Sequence, residues 1–137
     1  MADDDPDDRI LMKEALQEND LPSIIHFVED GKELMDYLYK KGKFAITDTF
    51  RPALILLDLN MPKVDGREAL RLIKSDPHLR RIPVIVLTTS RTEEDISKTY
   101  DLGVNSFICK PVSFTELVEV TSEIGSYWFG TVTLPKY

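Results

Sequence analysis

Ala53-Leu54-Ile55-Leu56-Leu57-Asp58-Leu59-Asn60-Met61-Pro62-Lys63-Val64-Asp65-Gly66 is the stretch on which the fold turns. Its first five residues form an unbroken apolar run, which reads as a short strand buried on both faces. Asp58 ends that run, and the residues after it turn away toward Gly66. A carboxylate at the carboxyl end of a buried parallel strand lies where open α/β sheets place their ligands. Asp3 and Asp4, just ahead of a helix start, add two more acids that can converge on the same point. Like charges that close are tolerated only if a cation neutralises them or a proton is retained. The economical reading is a divalent-metal site with hard oxygen ligands.

Outward from this run, strand and helix patterns alternate, the mark of a parallel sheet covered by helices. Asp5 and Pro6 open a helix as N-cap and first helical residue. Ile10, Leu11, Ala15 and Leu16 are its expected apolar face, and Asn19-Asp20 its end. Ser23 to Val28 reads as a strand, and Asp30 caps a second helix carrying Leu34, Tyr37 and Leu38. A longer connection covers residues 43–52. Gly66 to Lys74 is a third helix with Ala69, Leu70 and Ile73 inward, stopped by Asp76-Pro77. Pro83 to Leu87 is a strand ending in Thr88-Thr89-Ser90, followed by a helix from about Thr92 to Leu102. Asn105 to Cys109 is the next strand, ending in Lys110-Pro111. Ser113-Phe114-Thr115-Glu116 is a capping box, opening a helix with Leu117, Val118, Thr121, Ile124 and Trp128 along one side.

A chain of 137 residues has room for one core. Its net charge of −7 argues against a general affinity for nucleic acid or an anionic membrane. No apolar stretch approaches the roughly 20 residues that span a bilayer. The amino terminus carries no charged-then-apolar targeting pattern, and a cytoplasmic protein is expected. The single cysteine, Cys109, excludes an intrachain disulfide and reads as a buried, inert thiol. His26 and His78 have no metal-ligand partners near them in sequence and receive no role.

The ordered set of Asp3-Asp4, then Asp58-x-x-Met61-Pro62-x-x-Asp65-Gly66, then a strand-ending Thr88, then Lys110-Pro111 resembles the response-regulator receiver domain. Each piece alone is weak; four in this order and spacing are specific. The resemblance spans residues 3 to about 128 and implies a flavodoxin-like α/β fold, a doubly wound parallel sheet of five strand–helix units. It implies that Asp58 accepts a phosphoryl group from a histidine kinase or phosphotransfer protein. It further implies Mg²⁺ held by Asp4 directly, by Asp3 mainly through water, by Asp58, and by the backbone carbonyl of Asn60. Thr88 and Lys110 match the hydroxyl and ammonium that hold phosphoryl oxygens. Phe107 falls at the aromatic switch position, and Pro111 where the family often has a cis bond. These roles agree with the chemistry. Charge spread over three phosphoryl oxygens needs cations and donors around it, and Mg²⁺ takes octahedral oxygen ligation.

The remaining features are weighed against plainer readings. Asp5, Asp7 and Asp8 read as cap, first-turn dipole partners and solvated charge. Asp65 is expected to order the turn before Gly66 rather than bind metal, and Gly66 to start a helix where a side chain would crowd. A phosphatase using an aspartate nucleophile would need a second acid two residues on; Asn60 stands there, so no enzyme is expected. A degenerate receiver, a protein-interaction module that takes no phosphate, is the other alternative, though every expected acid and the lysine are present. The first strand is largely missing, because only Met1 and Ala2 precede Asp3. Either the sequence starts late, which is favoured, or the tail or a second molecule fills that slot. Residues 1–128 are taken as the receiver domain and 129–137 as a carboxyl-terminal extension. The tail, with Tyr127, Trp128 and Phe129 ahead of Thr131 to Pro135, resembles that of receivers paired with phytochrome-type kinases. It is expected to be an extended segment able to form a homodimer with the last helix.

Overall fold

The computed structural model describes residues 1–20, 25–46 and 51–136. Among the described residues three parallel strands form the sheet: β1 (Ile55–Leu57), β2 (Val84–Thr88) and β3 (Ser106–Cys109), in that order across it. Register is set by Ile55 opposite Val84 and by Val86 opposite Phe107. Among the described residues five α-helices accompany them: α1 (Pro6–Glu18) and α2 (Gly31–Tyr39) ahead of β1, α3 (Gly66–Ser75) and α4 (Glu93–Asp101) between successive strands, and α5 (Phe114–Ser126) after β3. The expected parallel α/β architecture is therefore present, with strand and helix alternating from α2 onward.

The strands read as continuous apolar runs because both faces are covered. Successive side chains on a strand point to opposite faces. Ile55, Leu57, Val84 and Val86 accordingly enter one core with Leu34 of α2 and Ala69, Leu70 and Ile73 of α3. Leu56, Ile85 and Leu87 enter the other, with Met12 of α1 and Ile124 of α5. Burying each such side chain stabilises by about 1.5–3 kcal/mol, so a one-residue slip of register would empty both layers at once.

The helix ends follow from the residues at them. Asp5 accepts from the Asp7 N–H, Asp30 from Glu33, Thr92 from Asp95 and Ser113 from Glu116. Each satisfies one of the donors a helix start leaves without an internal partner. Asn19, expected to end α1, does so. Its side-chain amide also donates to the Val118 carbonyl and the Thr121 hydroxyl, which fastens α1 to α5.

Several expectations are corrected. The buried residues of α1 are Met12 and Ala15, whereas Ile10 is 56 % and Leu11 39 % exposed. Leu11 lines a shallow hollow with Val112 and Phe114 rather than the core. Of the expected strand from Ser23 to Val28, Ser23 and Ile24 lie outside the described residues. The rest pairs only at Val28, because its neighbour in the sheet is a single residue. Cys109 is half-buried, not buried. The tail opens with a π-helical turn over Tyr127–Thr131, and residues 132–136 pair with no strand among the described residues. Among the described residues no peptide bond is cis, so Pro111 follows a trans bond.

The slot for the first strand is occupied at one end by the chain itself. Ala2 pairs in parallel with Val28 on one side and Leu57 on the other. Its N–H donates to the Leu56 carbonyl, and its carbonyl accepts from the Asp58 N–H. The Met1 ammonium donates to the His26 carbonyl at 2.8 Å. Loss of hydration holds that amino group down to about 5.

Candidate functional site

Four segments reach one point at the carboxyl ends of the strands. Asp58 leaves β1 with its N–H tied to the Ala2 carbonyl, so the Ala2 bridge fixes Asp3 beside it. Thr88 is the last residue of β2, and Lys110 follows β3. The Lys110 N–H donates to the Thr88 carbonyl at 2.7 Å, which sets hydroxyl and ammonium on adjacent strand ends.

The side chains interlock. Thr88 Oγ1 donates to Asp58 Oδ1 at 2.9 Å, and the Asn60 N–H reaches the same oxygen at 3.3 Å. Lys110 Nζ donates to Asp58 Oδ2 at 3.1 Å, Asp3 Oδ2 at 2.8 Å and Asp8 Oδ2 at 2.6 Å. Asp3 and Thr88 are fully buried and Asp58 is 5 % exposed, while Asp4 is exposed. Carboxylate oxygens of Asp3, Asp4 and Asp58 all lie within 4.8 Å of one another.

The electrostatics are those of a cation-poor acidic cluster. Burial pushes the Asp3 carboxyl up, against the downward pull of Lys110, and the Asp58 charge adds to the push. Burial would lower Lys110, but its hydrogen bonds to Asp3 and Asp8 and the Asp3 and Asp58 charges hold it above its usual range. Both directions have one cause. A single ammonium divided among three carboxylates leaves negative charge uncompensated in a dry place, where it is costly. A hard divalent cation among Asp3, Asp4 and Asp58 would remove that excess, so the donor set fits such an ion.

Sequence reasoning missed two features here. Asp8, read as solvated charge, is the shortest partner of Lys110. One turn of helix from Asp5 brings it over the lysine, and its spacing alone gave no sign of that. The second is a clamp on the loop after Thr88. Arg67 of α3 donates bidentately to Asp95 at 2.7 Å through both nitrogens and at 3.0 Å to Asp65. Ser90 Oγ donates to the same Asp95, whose carboxyl these bonds hold well below the usual range. Asp65 also caps α3 through the Arg67 N–H, in keeping with its expected turn-ordering role. Phe107, expected as a switch, is half-buried against the larger core, and its N–H donates to the Tyr100 hydroxyl at 3.2 Å.

Gly66 shows why the loop after Asp58 has this shape. A Cβ there would stand 2.2 Å from the Asp58 carbonyl oxygen and 2.6 Å from the Leu59 Cα. The α3 start is pressed against the backbone that presents the acid, and the Gly66 N–H bonds the Leu59 carbonyl at 2.9 Å. Only a residue without a side chain permits that approach.

Comparison with known proteins agrees with this geometry. The sequence model of the response regulator receiver domain matches residues 1–122. Response regulator Rcp1 of Synechocystis sp. is 41 % identical over 135 residues, covering 98 % of this chain and 90 % of that protein. The crystal structure of the phosphorylated cyanobacterial phytochrome response regulator RcpA superposes with a TM-score of 0.91 at 47 % identity, covering 98 % of this chain and 95 % of that one. The Mn²⁺-bound form of Rcp1 superposes with a TM-score of 0.89 at 41 % identity, covering 98 % and 96 %. With a buried acid at the end of β1, ringed by a hydroxyl, an ammonium and two further acids, the chain belongs to the response regulator receiver domain family of two-component signalling, in the branch that contains phytochrome-associated regulators.

Proposed function

We propose that this receiver accepts a phosphoryl group on Asp58 from the phosphohistidine of a histidine kinase or phosphotransfer protein, and signals by changing shape. The observation that carries this reading is the convergence of Thr88, Lys110 and the Asn60 N–H on the two oxygens of one buried carboxylate. An Asp58 oxygen attacks phosphorus as the phosphorus–nitrogen bond breaks, and the donor imidazole keeps the electron pair. Lys110 and Thr88, now bound to Asp58, turn to the phosphoryl oxygens. The two contacts therefore cost little reorganisation.

Asp3, Asp4, Asp58 and the Asn60 carbonyl would hold Mg²⁺, which supplies charge neutralisation between the acids and the incoming phosphoryl oxygens. Asp4→Asn is expected to weaken Mg²⁺ binding and slow phosphorylation more than Asp3→Asn. Asp4 is the exposed acid able to reach the ion directly, whereas Asp3 is already engaged by Lys110 and the Asp5 N–H. Calorimetric Mg²⁺ titration of both variants checks the order, and unchanged affinity in Asp4→Asn sinks this ligand set.

Movement of Thr88 toward the phosphoryl group would free space for Phe107 to turn inward, a population shift set by the difference in free energy between the two states. Residues 1–128 act as the receiver unit, and 129–137 as its extension. No catalytic turnover on other substrates is expected, and a histidine-kinase partner would put the protein in the cytoplasm. Among the described residues no helix is long and apolar enough to cross a membrane. Incubation with acetyl phosphate and Mg²⁺, read by intact mass, tests the whole reading. One added phosphoryl group supports it, and none returns the chain to an interaction module that takes no phosphate.

The carboxyl-terminal helix is proposed to self-associate. Tyr127 is 52 % and Phe129 49 % exposed, with Trp128 edge-on to Tyr127. Aromatic side chains of this kind are favoured interface anchors. Sedimentation at micromolar concentration should show a dimer for the full chain and a monomer for one ending at Ser126. A full chain that remains monomeric at its highest soluble concentration disproves it.

A further inference from the structure

The clamp on the loop after Thr88 is continuous with Asp58. Arg67 of α3 holds Asp95 of α4 by a fork of bonds at 2.7 Å, from Nε to Oδ1 and from Nη2 to Oδ2. Asp95 Oδ2 also accepts from Ser90 Oγ at 2.5 Å. The Ser90 N–H in turn reaches Thr88 Oγ1 at 3.4 Å, and Thr88 Oγ1 donates to Asp58 Oδ1 at 2.9 Å. One series of hydrogen bonds therefore runs from the first turn of α3 to the buried carboxylate. Its outer link is the firmest. A guanidinium–carboxylate fork is charge-assisted and fixed in geometry, and both side chains are largely shielded from water.

We propose that Arg67 is a positioning residue for phosphoryl transfer: through Asp95 and Ser90 it holds the Thr88 hydroxyl on Asp58 and sets how readily that hydroxyl turns to the phosphoryl oxygens. This rests on Asp58 being the phosphoacceptor. The hydroxyl carries one proton, so it cannot serve Asp58 and a phosphoryl oxygen equally. Lys110 reaches Asp58 on a flexible stem and can follow the incoming group. Thr88 is fully buried and has no such reach. When its hydroxyl turns, the Ser90 N–H is either left behind or drawn along. A Ser90 pinned by Asp95 is left behind, and its N–H loses the Thr88 oxygen. A Ser90 free of the pin follows and keeps it. The clamp thus favours one position of Thr88 over the other, the differential contact that a shift between two states requires. Asp65 and Thr92 cap their helices through the backbone N–H groups of Arg67 and Asp95, so those caps do not depend on the two clamping side chains.

The test titrates beryllofluoride, a phosphoryl mimic, in the presence of Mg²⁺ and follows the backbone amide signals of Asp58 and Thr88. The full chain is compared with Arg67→Met, Asp95→Asn, the double variant and Ser90→Ala. Arg67→Met and Asp95→Asn are each expected to tighten binding by about tenfold. They change the net charge in opposite directions, so a shared tightening cannot come from the electric field alone. The double variant should gain no more than the larger single effect, because both substitutions open the same link. Ser90→Ala removes one hydroxyl, disturbs the fold least, and should tighten binding as well. A merely structural brace between α3 and α4 gives a different result: lower thermal midpoints with binding unchanged or weaker. That result, or two effects that add in the double variant, overturns the role of Arg67. Should the Arg67 and Asp95 variants fail to fold, unchanged or weaker binding by Ser90→Ala overturns it. An unaltered chain that binds no beryllofluoride overturns the phosphoacceptor reading itself, and this inference with it.

Discussion

The Asp58→Asn chain, incubated with acetyl phosphate and Mg²⁺, gains no phosphoryl mass, while the unaltered chain gains one. A carboxamide has neither the charge nor the basicity to attack phosphorus, and it removes one of three acids that would face the metal. The substitution should leave the fold intact. Asp58 is buried against Asp3, with Lys110 between them, and Asn is nearly the same size. Losing one like charge from an acid-rich cluster is neutral or stabilising for the apo chain. A thermal midpoint at or above that of the unaltered chain, with labelling abolished, separates lost chemistry from lost structure. Labelling that persists undiminished would move the acceptor elsewhere, with Asp3 and Asp4 as the nearest acids.

Gly66→Ala should produce a large loss of stability. The new Cβ would meet the Asp58 carbonyl oxygen at 2.2 Å and the Leu59 Cα at 2.6 Å, and both are backbone atoms that no rotamer change can move aside. Relief requires shifting the start of α3 or the strand end, each held by buried neighbours such as Ala69, Leu70 and Leu57. Overpacking of this kind costs about 1–3 kcal/mol, occasionally more, and the backbone origin of the clash puts it at the upper end. For a chain of this size that lowers the thermal midpoint by about 10 °C. Phosphorylation should fall as well, because the shifted backbone carries Asp58. A variant that melts within about 2 °C of the unaltered chain would show that the loop gives way freely.

The reading of single elements shows where sequence sufficed. Apolar runs at Ile55–Leu57 and Val84–Leu87 announced buried strands because nothing polar interrupts them, and caps at Asp5, Asp30, Thr92 and Ser113 announced helix starts. These are local signals: a run of side chains or one oxygen near one N–H. The residues that converge on Asp58 were legible for a related reason, since each stands at the end of a strand whose position the alternation fixes. Helix α1 was misjudged where the signal was weak. Its apolar residues spread over more than one face, and only packing against α5 through Asn19 and Thr121 selects Met12 and Ala15 for the core.

By itself the sequence determined the α/β alternation, the helix boundaries and the acids, hydroxyl and lysine available for chemistry, because these depend on neighbours a few residues apart. Only the tertiary structure decided that Asp8 shares Lys110 with Asp3 and Asp58, and that Arg67 clamps Asp95 and the loop after Thr88. It also decided that Ala2 bridges Val28 and Leu57. Those contacts join segments tens of residues apart. Their partners are chosen by chain topology and by the burial of charge, which no local pattern encodes.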